Sequence, residues 1–188
     1  LPTAENVVRA GYTFGGWEQT SLINKTVTYT AKWISKGYIV SFDSNGGTAV
    51  ADKSLAWSDK VLDGVSAPTK AGYTFAGWKY ADSAVSSDTK FSDLAENDKV
   101  SGITLTAEWT AKTYTIKFDT RGGTPVADKT LHWDDKVLDG VVPPTKEGGF
   151  EFIGWNIASP KLSVTTLNCT YGELVQDDSI DTVTLGAV

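Results

Sequence analysis

A long stretch of this chain occurs twice in nearly the same form, and this duplication constrains the fold more than any other feature. The first copy occupies residues 38–78 and the second residues 114–155. The spacing between corresponding residues stays constant until one extra residue appears near Gly148–Gly149. Internal repetition at a regular period is typical of modular arrays, so the sequence predicts tandem small modules and not a single catalytic domain.

The duplication also sets the expected domain boundaries. Residues 37–111 form one complete module, and residues 112–188 form another whose C-terminal half diverges. Residues 1–36 match only the second half of the complete module, which predicts a partial or divergent module at the N-terminus. Units this short can just hold a small core, and the seven Trp, seven Tyr and seven Phe supply large rings for it.

Alternation of apolar and polar residues predicts strands within each module. Ile103, Leu105 and Ala107 alternate with polar residues near the end of the complete module, and residues 27–33 repeat the pattern. This period of two indicates a closing strand with one face on a core and the other in water. A further strand is predicted over residues 72–78 and 149–155, where a glycine before the tryptophan indicates a bulge or a close contact.

Each full module opens with a strand and a glycine-rich turn, at residues 44–47 in the first copy and 120–123 in the second. Asn-Gly between alternating segments predicts a hairpin, because both residues tolerate a positive φ. We expect its second strand over residues 48–57 and 124–133. The Asp-Lys-Val-Leu-Asp-Gly segment that follows is interpreted either as one capped helical turn or as a tight loop.

The copies diverge most over residues 79–100 and 156–181. Segments that vary within a repeat behave as surface loops, and only residues 92–96 indicate a short helix. The connectors at residues 34–37 and 110–112 are short and contain no long Pro or Gly/Ser tract. They therefore predict a limited hinge between modules and not a freely flexible linker.

Composition argues against several classes of function. The net charge of −6 disfavours nucleic acid and anionic membrane surfaces as partners, because both reward basic patches. No apolar run is long enough to span a bilayer, and no signal-peptide pattern begins at Leu1. The sequence contains no Met, so we expect it to be an internal piece of a longer protein. Its only cysteine, Cys169, excludes an internal disulfide and is interpreted as a half-buried small hydrophobic residue.

No residue pattern supports catalytic or metal-binding chemistry. The only histidine, His132, corresponds to Ala56 in the other copy, and a zinc site requires several His or Cys ligands. The pairs Asp134–Asp135 and Asp177–Asp178 raise the options of acid–base catalysis and Ca²⁺ binding. They lack the ligand spacing of a Ca²⁺ loop and are interpreted as parts of solvated loops. We therefore predict no catalytic, cofactor-binding or metal-binding residues.

Three tryptophans that follow the glycine motif allow two interpretations. Trp17, Trp78 and Trp155 either form a carbohydrate-stacking platform or pack into the module cores. Their recurrence beside glycine in every copy favours core packing. An isopeptide crosslink between Lys and Asn or Asp has no support in the residue spacing. The sequons at Asn24 and Asn168 matter only in a eukaryotic secretory host.

Three motifs together resemble the Listeria–Bacteroides repeat family, the B-repeat of internalin-type surface proteins. They are Phe42-Asp-Ser-Asn-Gly-Gly-Thr48, Pro68-Thr-Lys-Ala-Gly-Tyr-Thr-Phe-Ala-Gly-Trp78 and Thr104-Leu-Thr-Ala-Glu-Trp109. The match covers nearly all of residues 38–109 and most of 114–155, but it is lost between Trp155 and Val183. The resemblance implies a mostly β, α+β, β-grasp-like fold. Each module would hold a mixed sheet of about four strands and at most one short helix.

The resemblance also implies a tandem array on secreted or surface-attached bacterial proteins, with no catalytic residues to carry over. We expect an extracellular location, at the bacterial cell surface or in the cell wall. The expected function is a non-catalytic stalk or spacer that projects or links other domains of the same surface protein, and those domains are its expected partners.

Other functions remain open at this point. An adhesion module would bind a host protein or glycan through residues 79–100 and 156–181, and it predicts exposed aromatic side chains there. An enzyme would require a pocket with convergent titratable groups. Residues 1–33 lack the opening half of a module, so an unpaired strand edge would allow self-association with another chain.

Overall fold

Strands dominate this computed structural model, which describes residues 3–162 and 166–188. The strands are β1 Tyr12–Ile23, β2 Thr26–Ser35, β3 Tyr38–Asp43, β4 Lys53–Leu55, β5 Tyr73–Tyr80, β6 Ser83–Val85, β7 Gly102–Ala111, β8 Tyr114–Asp119, β9 Lys129–Leu131, β10 Trp155–Ser159 and β11 Thr182–Ala187. The helices are α1 Phe91–Leu94 and α2 Tyr171–Val175, and one 3-10 turn covers Ala4–Asn6.

Two mixed sheets share one design. In the first, with strand order β4-β3-β7-β5-β6, β3 and β7 form a parallel central pair and β4 pairs antiparallel with β3. In the second, with order β10-β11-β8-β9, β8 and β11 take the same parallel arrangement. Each sheet is accompanied by one short helix, and the predicted mostly β, β-grasp-like class is confirmed.

The chain divides into two compact units, Leu1–Pro68 with Ala76–Glu108, and Thr69–Phe75 with Trp109–Val188. The first unit buries aromatic and aliphatic side chains along β3, β7 and α1, among them Val40, Phe91 and Leu105. The second has its own core, which includes Tyr114, Tyr171, Leu174, Val183 and Leu185. The module boundaries at 36/37 and 111/112 stay a prediction.

Apolar alternation predicts burial correctly in β7 and wrongly in β2. Ile103, Leu105 and Ala107 are buried on one face of β7. In β2, by contrast, Val27 is 43% exposed and Tyr29 is 41% exposed. β7 lies between β3 and β5 in a five-stranded sheet that has a core including Phe91 of α1, whereas β1 and β2 form a sheet of only two strands. A register shift between Phe14 and Trp17 marks a bulge at the glycines of β1.

The opening turn has the predicted backbone, but the hairpin is looser than predicted. The N–H of Gly47 donates to the carbonyl of Ser44 at 3.0 Å, and Asn45 takes a φ of 47°. Pairing resumes only at Lys53 and Lys129, so the second strands predicted over residues 48–57 and 124–133 are present but only three residues long. The segment after them is a turn and not a helix.

The predicted strand at residues 72–78 is present as β5, but its counterpart at 149–155 is not. There, β10 begins only at Trp155. Gly148 and Gly149 both take a positive φ, which interrupts extended backbone. Immediately before β10, the N–H of Ile153 donates to the carbonyl of Val188 at 2.9 Å.

Residues 79–100 and 156–181 are not simple surface loops, which corrects the sequence interpretation. Each contributes a core aromatic residue from a short helix, Phe91 in α1 and Tyr171 in α2, both fully buried. An isolated bridge precedes each helix, Lys60 to Lys90 and Lys136 to Thr170. The second segment therefore keeps the architecture of the first although its sequence diverges.

Candidate functional site: the repeated junction

The most distinctive repeated geometry in the structure is a turn that precedes the strand of the Gly-Tyr motif. Residues 9–12 and 70–73 each contain a basic residue, an alanine, a glycine and a tyrosine, and we call them docking turns. In both, the tyrosine N–H donates to the carbonyl of the basic residue at 3.1 Å. Gly11 and Gly72 take φ angles of 80° and 78°, a conformation that favours glycine.

Each docking-turn glycine lies directly against a tryptophan side chain. A β-carbon added to Gly11 would stand 2.2 Å from Cβ of Trp57, and one added to Gly72 would stand 2.3 Å from Cβ of Trp133. Real β-carbons do not approach other atoms this closely, so only glycine fits. Trp57 and Trp133 occupy the same position in the two sequence copies, so the turn of one predicted module packs on the tryptophan of the next.

The connector between predicted modules is hydrogen-bonded to the glycine of the docking turn. The N–H of Lys36 donates to the carbonyl of Gly11 at 2.9 Å, and the N–H of Lys112 donates to the carbonyl of Gly72 at 2.9 Å. Each connector therefore has its backbone held at the point where the closing strand has just ended.

A carboxylate ties the connector lysine to the docking turn. The Oδ2 atom of Asp98 accepts from Lys36 Nζ at 2.7 Å and from the N–H of Gly11 at 3.3 Å. In the second copy, Oδ2 of Asp178 accepts from Lys112 Nζ at 2.8 Å and from the N–H of Gly72 at 3.4 Å. One carboxylate thus pairs with the ammonium group of the connector lysine and also accepts a hydrogen bond from the backbone N–H of the docking-turn glycine.

Hydrogen bonding shifts the titration of these groups. The bond to Asp98 raises the pKa of Lys36. The same bond, followed by the one from the N–H of Gly11, lowers the pKa of Asp98. The bond to Asp178 likewise raises the pKa of Lys112. These side chains are partly exposed, so water and salt screen the ion pairs. The hydrogen-bond geometry therefore contributes more to the junction than the attraction between the charges does.

A buried tyrosine lies beneath each junction. The ring centroid of Tyr38 lies 4.6 Å from that of Phe91, and the centroid of Tyr114 lies 4.5 Å from that of Tyr171. Burial raises the pKa of both Tyr38 and Tyr114. The hydroxyl of Tyr38 donates to the carbonyl of Asp98 at 3.2 Å, whereas the buried hydroxyl of Tyr114 has no hydrogen-bond partner among the described residues.

Comparison with known proteins identifies the repeat. The sequence profile of the Listeria-Bacteroides repeat domain matches residues 1–37, 38–108 and 114–173. The chain belongs to the Listeria–Bacteroides repeat family. The resemblance inferred from the motifs is thereby confirmed.

Relatives of this Listeria–Bacteroides repeat chain are much longer proteins. Two come from Evansella cellulosilytica, one named as a candidate membrane protein and one as a candidate glycine-rich membrane protein, and both are 31% identical. Internalin H of Listeria monocytogenes is 30% identical. The matches cover 78%, 82% and 77% of this chain but only 23%, 19% and 25% of those proteins, in the same order. No solved structure matches the chain significantly.

Two side chains that the sequence singled out contribute to the second junction of the repeat. Asp178 holds Lys112, although the sequence placed it in a solvated loop. The exposed His132 has its Nδ1 atom 2.8 Å from the carbonyl of Lys112. Asp135 and Asp177 cap local backbone instead, accepting from the N–H of His132 and of Ser179.

The tryptophans of the Gly-Trp motif pack against neighbouring aromatic rings. Trp78 is 4% exposed and lies 4.9 Å from Phe42 between ring centroids, which confirms core packing there. Trp155 lies 4.9 Å from Phe118. Trp17 is half-buried on the β1–β2 hairpin, 5.4 Å from Phe14.

Cys169 is half-buried, which agrees with its interpretation from the sequence as a half-buried small hydrophobic residue. Its Sγ atom donates to the carbonyl of Thr166 at 3.1 Å. Burial raises the pKa of the thiol, so the reactive thiolate is scarce at neutral pH.

Residues 3–162 and 166–188 hold no group of three or more His, Cys, Asp or Glu side chains placed to bind a metal ion. Within the same residues, no helix has both the length and the apolar character needed to cross a membrane.

Each full repeat also carries an open groove beside its opening hairpin. The grooves have volumes of about 730 Å³ and about 570 Å³ and are lined by residues 48–54 with 63–68, and by residues 124–130 with 139–143. The lysine side chain in each groove donates hydrogen bonds to backbone carbonyls. Lys53 does so in the first groove, and in the second Lys129 Nζ donates to the carbonyls of Lys136 and Asp139 at 2.7 Å. The rest of each lining is mainly backbone and short side chains, together with two carboxylates, Asp52 and Asp63 in the first groove and Asp128 and Asp139 in the second.

Proposed function

We propose that this chain is a non-catalytic stalk or spacer of a bacterial cell-surface or secreted protein, in which tandem repeats project or link other domains. The observation that carries the proposal is the junction, which repeats with the same glycine, tryptophan, lysine and aspartate roles. Membership of the repeat family and the similarity to Internalin H support it. An extracellular position, at the cell surface or in the cell wall, is part of the same proposal.

The junction suits a spacer because it restricts the connector at several points. At the first junction, the backbone of Lys36 is held by Gly11 and its side chain by Asp98. A short connector anchored at both backbone and side chain has little freedom to bend. Stability in such arrays is the sum of module stabilities and nearest-neighbour contacts, so each junction would stabilise both modules that meet there.

The modules of this proposed stalk are residues 1–36, 37–111 and 112–188. The two junctions lie where these ranges meet, next to Lys36 and Lys112. The proposed partners are the other domains of the same protein.

Amide hydrogen exchange at the connectors tests the proposal. If the junctions are held, the amides of Lys36 and Lys112 exchange slowly, because each donates a hydrogen bond to a buried glycine. The amide of Lys25, in the exposed turn between β1 and β2, serves as the fast-exchanging reference. Exchange of the connector amides at the rate of Lys25 would show open hinges and would contradict the proposal.

Adhesion through residues 79–100 and 156–181 gains no support from the side chains there. The aromatic residues of these segments are Tyr80, Phe91 and Tyr171. Phe91 and Tyr171 are fully buried, and Tyr80 is half-buried. None of them presents an exposed ring for a glycan or a protein.

A second candidate role, self-association, is favoured by the β1–β2 hairpin. Its two strands form a separate sheet, and its tip exposes apolar side chains, with Ile23 66% exposed. Open strand edges and exposed apolar residues recruit further strands. Sedimentation equilibrium tests this role: a dimer that the substitution Ile23→Lys dissolves would support it, and a monomer at all concentrations would contradict it.

A further inference from the structure

The chain contains a third docking turn, at residues 146–150. It carries Gly149 with a φ of 81°, close to the values at Gly11 and Gly72. Lys146 Nζ lies 4.5 Å from the centroid of the Phe150 ring. The same cation–π contact is present in the other turns, at 4.0 Å between Arg9 and Tyr12 and at 4.4 Å between Lys70 and Tyr73. The third turn therefore shares the glycine conformation and the cation–π contact of the two occupied turns, although it is one residue longer and ends in Phe150 instead of a tyrosine.

This third turn has nothing packed on it. A β-carbon added to Gly149 meets no atom of the described chain within 4 Å, whereas Gly11 and Gly72 are buried against tryptophans. Phe150 is 65% exposed, although its counterparts Tyr12 and Tyr73 are half-buried. A conformation that favours glycine, next to an exposed ring, matches a docking surface whose partner is missing.

An open apolar pocket adjoins the third turn. It has a volume of about 710 Å³, and its lining includes Lys146, Phe150, Phe152 and Val188. In the complete repeat, the corresponding Phe75 has its ring centroid 5.5 Å from that of Trp109, and Lys70 Nζ lies 5.8 Å from the Trp109 ring.

The N-terminal hairpin shows the same arrangement around Trp33. Its ring centroid lies 5.9 Å from that of Phe14, and the Arg9 guanidinium lies 6.0 Å from it. In both cases the indole comes from the end of the closing strand. The pocket beside Val188 thus has the aromatic and cationic lining that surrounds an indole in the other two copies.

We propose that the Gly149–Phe150 turn and this pocket receive one further module of the same repeat design, continued from Val188. Two contacts define the fit. The tryptophan that extends the closing strand fills the pocket, and the tryptophan of the added module, the counterpart of Trp133, packs on Gly149. The inference rests on the stalk function proposed above and extends it by specifying the surface through which the array grows.

A second copy of this chain fits the surface less well. The tryptophans that pack on docking turns, Trp57 and Trp133, are already covered by Gly11 and Gly72 of their own chain. A separate copy would have to break one of those contacts to offer a tryptophan to Gly149. The partner is therefore a module whose own docking tryptophan is uncovered, and covalent continuation from Val188 supplies it.

The test uses the full chain and a version extended by its own sequence. The extension repeats residues 109–188 directly after Val188, which keeps the spacing of the repeat because Val188 aligns with Glu108. Gly149→Asn is placed in both chains, since Asn tolerates a positive φ but adds a β-carbon at the proposed contact. Gly72→Asn, at a contact already occupied in both chains, is the matched control.

Thermal unfolding and amide exchange are the readouts. The proposal predicts that Gly149→Asn leaves the melting temperature of the original chain unchanged. In the extended chain the same substitution lowers the melting temperature as much as Gly72→Asn does. The amide of the appended copy of Lys112 is protected in the extended chain, and Gly149→Asn removes that protection.

Three outcomes would overturn the proposal. Gly149→Asn could have no effect on the extended chain, it could destabilise the original chain equally, or it could dissolve a dimer of the original chain, which would make a second copy the partner. If Gly72→Asn did not change the melting temperature of the original chain, that result would instead count against the junction and the stalk function themselves. The two failures are therefore distinguishable.

Discussion

A β-carbon on Gly72 would stand 2.3 Å from Cβ of Trp133, so the backbone of one repeat lies flat against the aromatic residue of the next. The same relationship recurs between Gly11 and Trp57 at 2.2 Å. Contact this close leaves no room for any side chain at either glycine. Because the neighbouring lysine and aspartate are repeated as well, the arrangement is a property of the repeat and not of one site.

Replacing Gly72 by alanine will destabilise the fold strongly. The substitution adds a β-carbon at a positive φ and forces it against Trp133, which together cost about 2–5 kcal/mol in the free energy of unfolding. Urea unfolding followed by tryptophan fluorescence measures the loss. Gly64→Ala is the control, since Gly64 has a φ of 69° but no atom of the described chain near its added β-carbon. It should lose only about 1–2 kcal/mol from backbone strain, and equal losses for the two variants would show that the tryptophan contact is unimportant.

The two core tyrosines should respond differently to loss of their hydroxyl groups. Tyr38→Phe removes a hydrogen bond to the carbonyl of Asp98 and should cost about 0.5–1.5 kcal/mol of unfolding free energy. Tyr114→Phe removes a buried hydroxyl without a partner among the described residues, so it should be neutral or stabilising. The rings and their stacking partners stay in place in both variants. Chemical denaturation of the matched pair checks the difference, and a larger loss for Tyr114→Phe would contradict the assigned contacts.

The first junction should be most stable across a broad neutral range of pH. The folded pKa of Asp98 lies below its unfolded value of about 3.9, so its contribution is complete above about pH 4 and is lost as the pH falls through the folded pKa. The folded pKa of Lys36 lies above its unfolded value of about 10.4. Its contribution is therefore complete below about pH 10 and is lost as the pH rises through the folded pKa.

Amide exchange of Gly11 as a function of pH measures this dependence, after correction for intrinsic exchange rates. Asp98→Asn should flatten the acid limb of the profile, because no carboxylate remains to be protonated. Asp52→Asn, at an exposed position outside the junction, should leave that limb unchanged. An acid limb that persists in Asp98→Asn would assign the effect to another carboxylate.

The repeated frame was predictable because local signals agree with each other. Asn45 and Gly46 take the positive φ expected of the Asn-Gly turn, and Leu105 is buried as its alternation requires. The C-terminal half of the last repeat was missed because its length differs, even though Tyr171 fills the core position of Phe91. One local signal was available there: Thr170 and Glu173 form a capping box that starts α2.

The junction was beyond sequence reasoning for a different reason. Its ion pairs join residues far apart in the chain, as Lys112 with Asp178 does, and no local pattern marks such a contact. The exposed faces of β2 were also unpredictable, because alternation reports which residues could face a core but not whether a second layer packs on that face.

The distribution of distances across the first junction tests the central claim most directly. Spin labels at Lys32→Cys and Asp52→Cys, both exposed positions, are introduced into a Cys169→Ser background and measured by double electron–electron resonance. A held junction predicts a single narrow distribution, which Gly11→Asn broadens by displacing Trp57. A broad distribution in the unsubstituted junction, unchanged by Gly11→Asn, would contradict the account.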